Sequence, residues 1–364
     1  MASLLFLLFW SLCFSLLHAK SPYLSPSIFL PNYGQMLSQF KIYPYPNPNT
    51  KNTTLSLSTN HSSSFSLFHQ TLLTSHFITS DPGEAHLFYL PFPATPQFSG
   101  NRRTLARYIR DVRSTFPFWN QTLGADHFYA SPHLIAVDSD RNLVELKKNS
   151  VQVAGFLPGY STVNGMFLPH KDIMLPPIPH RKKIGEGGGR GHLVGEKIGE
   201  GKKGTGQFLG CYVGDDTRQV RSVLEYLRED SRFMIESQPL DLGSCGFCLF
   251  LYGGDLTAMR GALWAGCVPV VISSRPILEM PFSDVLDWNG IAMFVGAKAV
   301  KGLAGRLEEA FGQGRHEEMR GAGQRAAVHL IWNSPPRPYD AFYTVMYQLW
   351  LRRHTIRYAR RQNL

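Results

Sequence analysis

Cysteine is scarce in this 364-residue chain, which has five, and none stands between Cys13 and Cys211. Any disulfide is therefore confined to Cys211, Cys245, Cys248 and Cys267, with three possible pairings open. Cys245 and Cys248 have the Cys-x-x-Cys spacing of a redox site, but such a site opens a helix. This pair instead runs into Leu249-Phe250-Leu251, which reads as strand. No Gly-Lys-Ser/Thr ending leads from a glycine-rich stretch into a helix, which argues against a phosphate-cradling loop of the nucleotide-hydrolase kind. No Asp-x-Asp is embedded in an apolar strand. The one such triplet, Asp138-Ser139-Asp140, reads as a solvated turn, so no catalytic metal is expected. His127, His133 and His170 match no metal-ligand spacing. Basic and aromatic residues are not interleaved, so nucleic acid is not an expected partner despite a formal net charge of +10. Residues 181–204 contribute +4 and residues 352–361 contribute +5, which leaves the folded body nearly neutral. Both stretches read as solvated linker and tail.

What is present begins with an apolar leader, Met1 to Ala19, closed by Lys20. It is short for a membrane span and has no basic residue ahead of it, so a cleaved signal peptide and a retained signal anchor both stand. Either routes the body into the secretory pathway. Asn52, Asn60 and Asn120 each open an Asn-x-Ser/Thr glycosylation triplet, which fits a lumenal protein. Residues 21–64 are rich in Ser, Pro and Asn without sustained period and read as an extended stem, with order beginning near Phe65. Residues 181–206 hold ten glycines and read as a flexible linker.

Between these segments strands and helices alternate, which predicts parallel sheets covered on both faces. Helices are expected over 66–76 and 102–113, and strands over 86–92, 127–130 and 134–137. The densest stretch runs from Cys245 to Trp288. A buried strand ends at Gly253-Gly254-Asp255, a helix follows to Ala265 and stops at Gly266, and a second strand spans Cys267 to Ile272. This is a βαβ unit, in which ligands approach where strand gives way to helix. A terminal helix is expected to bury Phe342, Val345, Met346, Leu349 and Trp350, capped by Ser334 or Asp340.

Gly266-Cys267-Val268-Pro269-Val270-Val271-Ile272-Ser273, followed by Pro281-Phe282-Ser283-Asp284-Val285-Leu286-Asp287-Trp288, resembles the donor-domain core of exostosin-type glycosyltransferases. Residues 85–92, 118–128, 169–176 and 332–336 are similar to further blocks of that family, in the same order. The resemblance implies an α/β protein of two Rossmann-like domains, the GT-B type of glycosyltransferase architecture. After a leader at 1–20 and a stem at 21–64, the implied domains are an acceptor-side domain at 65–180 and a nucleotide-sugar domain at 207–331. The linker at 181–206 separates them, and a crossover helix with a basic tail fills 332–364.

The function implied is sugar transfer from a nucleotide donor, expected to be a uridine diphosphate sugar, to a cell-wall polysaccharide or glycoprotein glycan. The sugar donor is a co-substrate, and no other cofactor is expected. The expected place is the lumenal side of the Golgi membrane, with membrane attachment through the leader where it is retained. Gly214, Arg218 and Arg221 match the glycine and arginines that the family carries at a donor-binding turn, and Gly253, Gly254 and Arg260 fall at the next. His133 and Asp255 are the candidate catalytic groups. Two departures stand out. Leu134 replaces the Asp that the family commonly has after this His, and Gly261 to Ala265 contains no acid. The alternative reading is therefore an inactive relative that binds glycans or partner transferases.

Overall fold

The computed structural model describes residues 20–46, 63–92, 102–131, 140–155, 167–178, 208–212, 218–235, 242–252, 257–274 and 280–361. The leader, the glycine-rich linker, the strand piece at 134–137, Asn52 and Asn60 lie outside them. The chain forms two compact units. The first comprises Ser27–His180, Glu279–Val285 and His329–Leu364, and the second Met1–Pro26, Arg181–Leu278 and Leu286–Val328. Among the described residues each holds one sheet of five parallel strands. The mixed α/β class is thus the observed one.

In the first unit β1 (Ile42–Pro44), β2 (Leu87–Leu90), β3 (His127–Ser131), β4 (Val151–Gly155) and β5 (Ile173–Leu175) lie side by side in chain order. All four residues of β2 and all five of β3 are buried, as strands covered on both faces must be. One face packs against α3 (Arg102–Thr115), through Leu105, Tyr108, Ile109 and Val112, and against α5 (Arg141–Asn149), through Leu143 and Leu146. Asp140 caps α5 by accepting from the backbone of Asn142 at 2.8 Å. Trp119 on α4 (Phe118–Thr122) lies fully buried against the same cluster. Toward the opposite face, His69 of α2 (Ser64–Leu73) meets the Tyr89 hydroxyl at 2.6 Å. Phe68 of α2 packs near Phe342 of the terminal helix α11 (Ala341–Arg361). Asp340 caps α11, as expected, and all five apolar residues read onto its buried face are buried.

The stem reading is corrected over residues 26–44. Pro26–Gln39 is a helix, α1, and Ile42–Pro44 is the edge strand of the first sheet. Phe29, Tyr33 and Met36 recur at helical spacing and are buried. Phe29 packs on Tyr347 with ring centroids 4.9 Å apart, and Tyr33 stacks on Tyr339 at 4.5 Å. Pro31 and the surrounding Ser and Asn residues obscure that period in the sequence. Pro44 is tolerated because an edge strand need not donate on both sides.

In the second unit β6 (Phe208–Tyr212), β7 (Phe233–Met234), β8 (Cys245–Leu251), β9 (Val268–Ser273) and β10 (Met293–Gly296) are ordered β10-β9-β8-β6-β7. Every residue of β8 and β9 is buried. Pro269 is the second residue of β9, a central strand, where its missing N–H costs the ladder least near the start. The helix before β9, α7, covers only Met259–Ala265 and ends where Gly266 takes φ +78°. A Cβ at Gly266 would lie 2.8 Å from Arg320 Nε, so both conformation and space demand glycine. Asp287 caps the short helix α8 (Trp288–Ile291) by accepting from Gly290, and buries Trp288 behind it. Residues 22–23 dock on this corner, where Pro22 accepts from the Asp287 backbone at 2.8 Å and Tyr23 bridges Leu286.

Candidate functional site

In an open parallel sheet the helices leave neighbouring strands in opposite directions where the strand order reverses, and a crevice opens at the strands' carboxyl ends. In the second sheet that reversal falls between β6 and β8, which pair directly through Tyr212 and Leu249. The segment after β6 leads through 213–217 into α6 (Arg218–Arg228), and the segment after β8 leads through 252–258 into α7. The two turns read from sequence as donor-binding thus leave adjacent strands at the same sheet end. Gly214, Gly253, Gly254 and Asp255 lie outside the described residues, as does His133. Arg218 opens α6 and Arg221 follows one turn later, their side chains also outside the description. Arg260, the second residue of α7, is half-buried. Among the described residues none forms a hydrogen bond or ion pair with its guanidinium.

The sheet under these turns is stapled. Cys211 of β6 is bonded to Cys245 of β8, and Cys248 of β8 to Cys267, which immediately precedes β9. Cys245 and Cys248 are therefore not partners, and both are buried in a strand. The redox alternative is excluded by that pairing. His316 of α10 (Arg315–Ala326), which follows α9 (Leu303–Gly312), places Nε2 2.9 Å from the Gly246 carbonyl, and burial lowers its pKa.

The first unit holds a second polar constellation, which the sequence reading missed. Asp172 is buried and accepts from the backbone N–H groups of Gln152 (3.1 Å) and Leu168 (2.9 Å). It also pairs with Lys147 at 3.5 Å and with Lys171. Burial lowers the pKa of both lysines, against the pull of Asp172. Arg352, read as part of a solvated basic tail, is instead 8% exposed. It donates to the carbonyls of Lys171, Asp172 and Gln348 and to Asp284 at 2.9 Å. Gln348, one turn earlier on α11, donates Nε2 to the same Asp284 carboxylate. Lys171, Asp172 and Asp284 are thus tied to α11 by Arg352 and Gln348. Their i, i+4 spacing on the terminal helix was the available signal.

Beside this network is a cavity of about 20 Å³, walled by Phe167, Met174, Met280 and Phe282, with Gln348, Asp284 and Asp172 on its polar side. Phe282 has φ +59°, a strained conformation for a bulky residue.

The remaining sequence candidates separate clearly. His127 is buried, its Nδ1 2.7 Å from Asp126 and its Nε2 2.8 Å from the Tyr45 hydroxyl, where no substrate reaches. His170 is exposed. Asn120 is exposed on α4, and the Thr122 hydroxyl of its triplet donates to Asp126.

Comparison with known proteins accounts for this arrangement. The family model for the Exostosin GT47 domain matches residues 36–311. A probable glycosyltransferase of Arabidopsis thaliana is 27% identical over 92% of this chain and 66% of its own length. A probable beta-1,4-xylosyltransferase of the same plant is 27% identical over 76% of this chain and 71% of its own. A probable glucuronosyltransferase of Oryza sativa subsp. japonica is 28% identical over 65% of this chain and 61% of its own. The chain spans 59–66% of the length of three of the curated relatives it matches. A solved structure of the glycotransferase of kitacinnamycin aligns at a TM-score of 0.25 and 10% identity, too low to bear on the fold. With a family match covering three quarters of its length, this chain belongs to the exostosin GT47 domain family.

Proposed function

We propose that this protein is a glycosyltransferase of GT-B type that moves a sugar from a uridine diphosphate donor to a polysaccharide or glycoprotein glycan. The observation that carries the reading is the strand reversal between β6 and β8, in a chain of this family, with both candidate donor turns leaving the strands that flank it. Transfer requires that charge on the departing diphosphate be stabilised and that the acceptor hydroxyl lose its proton. In this reading Gly214, Gly253 and Gly254 let the donor approach the backbone, and the amino end of α6 faces the phosphates. Arg218, Arg221 and Arg260 supply bidentate cation contacts. Asp255 holds donor hydroxyls, His133 receives the acceptor's proton, and no metal is required. The two disulfides support an oxidising compartment, in keeping with the lumenal side of the Golgi membrane, with the leader as signal or anchor.

Free nucleoside diphosphate released from a panel of nucleotide sugars and glycan acceptors tests the reading. A donor at a hundredfold excess over its Kd should add about 2.7 kcal/mol of stability. Arg260→Ala should abolish that gain, and Arg260→Lys should restore part of it, since an ammonium does not span two phosphate oxygens. Stabilisation without turnover would favour the second reading, an inactive glycan- or transferase-binding relative. That alternative is motivated by Leu134 after His133 and by the absence of a carboxylate from Gly261 to Ala265. No stabilisation and no release would overturn the donor-dependent reading altogether.

A further inference from the structure

The cavity beside Gln348 has chemistry that the donor reading does not use. Gln348 is 3% exposed, and among the described residues its Oε1 has no hydrogen-bond partner. A buried carbonyl left unpaired is costly, so a donor is called for there. The amide cannot turn to present its nitrogen instead, because Oε1 would then face the Asp284 carboxylate that Nε2 now holds. The nearby cation does not supply the missing donor, since the Arg352 guanidinium is committed to three carbonyls and to Asp284. The polar groups that line it are thus mainly acceptors, Gln348 Oε1 and the carboxylates of Asp172 and Asp284, with the Ser283 hydroxyl at the exposed mouth.

About 20 Å³ is room for one small hydroxyl-bearing arm or a water, not for a whole ring. Pro169 and Ser283, both exposed, also line this cavity, where the rest of a ring has open space. The walls formed by Phe167, Met174, Met280 and Phe282 are buried and suit the C–H atoms of such an arm.

We propose that this cavity is a glycan subsite that receives a hydroxyl arm of a neutral sugar through Gln348 Oε1 and excludes uronate at that position. A carboxylate would place anionic oxygen against Gln348 Oε1 and beside the carboxylates of Asp172 and Asp284, a repulsion that the Ser283 hydroxyl at the mouth does not offset. The inference rests on the glycosyltransferase reading for its substrate class, but its own contacts lie in the first unit.

Glycan binding to the full chain, followed by saturation-transfer NMR and calorimetry without donor, tests it. The probes are xylohexaose and cellohexaose as neutral glycans and hexagalacturonate as the acidic one. At least one neutral probe should bind at least tenfold more tightly than the uronate. Gln348→Met, which keeps volume and removes the acceptor, should weaken that binding at least tenfold. Ser283→Trp, an exposed change that blocks the mouth without touching the core, should do the same if Gln348→Met fails to fold. Equal binding of neutral and acidic probes overturns the proposal, as does binding unaffected by Ser283→Trp. Absence of neutral-glycan binding to the wild type also overturns it and leaves the cavity to a structural water. A nucleotide-sugar thermal shift measured on the wild type separates this failure from failure of the transferase reading. A shift with no Gln348-dependent glycan binding removes only the subsite, whereas no shift with such binding removes only the donor site.

Discussion

In the first sheet the strands follow chain order from β1 to β5, whereas in the second the order reverses between β6 and β8. A sheet without reversal offers no switch-point crevice. The first unit buries Asp126, His127, Lys147 and Asp172 in hydrogen-bonded clusters and stacks aromatic side chains such as Phe88 on Phe118. The second unit fills its core with Val, Leu and Ile and braces its central strands covalently. One sheet is thus held by aromatic and ionic contacts, and the other by aliphatic packing and disulfides. The difference bears on function, because the two bridges join β6, β8 and the approach to β9, and β6 and β8 carry the candidate donor turns.

This contrast is open to direct attack. Replacing all four of Cys211, Cys245, Cys248 and Cys267 with Ala should have the largest effect. Loops of 34 and 19 residues correspond to about 3–4 kcal/mol per bridge. Hydrogen exchange should then accelerate in β6, β8 and β9 while β2 to β4 keep their protection. Uniform acceleration in both sheets would show that the two units unfold as one.

Trp119→Ala should cost about 3–5 kcal/mol, confined to the first unit, because the ring is fully buried against His127. Urea denaturation read out by fluorescence of the remaining tryptophans would register it. A loss under about 1 kcal/mol would mean the site collapses around the deletion.

Acid should act on the first unit before the second. Burial lowers the pKa of His329 from 6.5 to about 4, and that of His69 in the same direction. A folded-state value below the unfolded one gives stability that is complete above about pH 6.5 and is lost as pH falls toward 4. For His329 alone this is about 3 kcal/mol across that window. The urea midpoint of the first unit should therefore drop between pH 6.5 and 4, and His329→Gln should flatten the slope. His316 works in the same sense in the second unit, but it is less deeply buried and should contribute less.

The smallest effect is expected from Arg260→Ala without ligand. A half-buried arginine with no polar partner among the described residues should change the melting temperature by less than about 2 °C. A larger drop would make Arg260 part of the second unit's packing and remove it from the donor site.

Runs such as Phe247 to Leu251 and Val268 to Ile272 are strands on their own evidence, since continuous apolar β-branched and aromatic residues bounded by glycine have few other uses. The Asp340 cap and the Gly266 stop are equally local, because the groups they satisfy lie within a few residues. Asp140, read as part of a solvated turn, instead caps α5, and Asp287 caps α8. The family blocks and the α/β class followed from such local signals. The helix at Pro26–Gln39 did not, because its stability comes from Tyr339 and Tyr347, some 300 residues away, and not from its own weak period. The disulfide pairing, the reversal between β6 and β8, and the burial of Arg352 were likewise decided only in three dimensions. An arginine in a run of five reads as solvated tail until the partners that neutralise it, Asp284 and three carbonyls contributed by distant segments and its own helix, are brought around it. Local chemistry is written residue by residue, whereas strand order and buried charge depend on which distant segments meet.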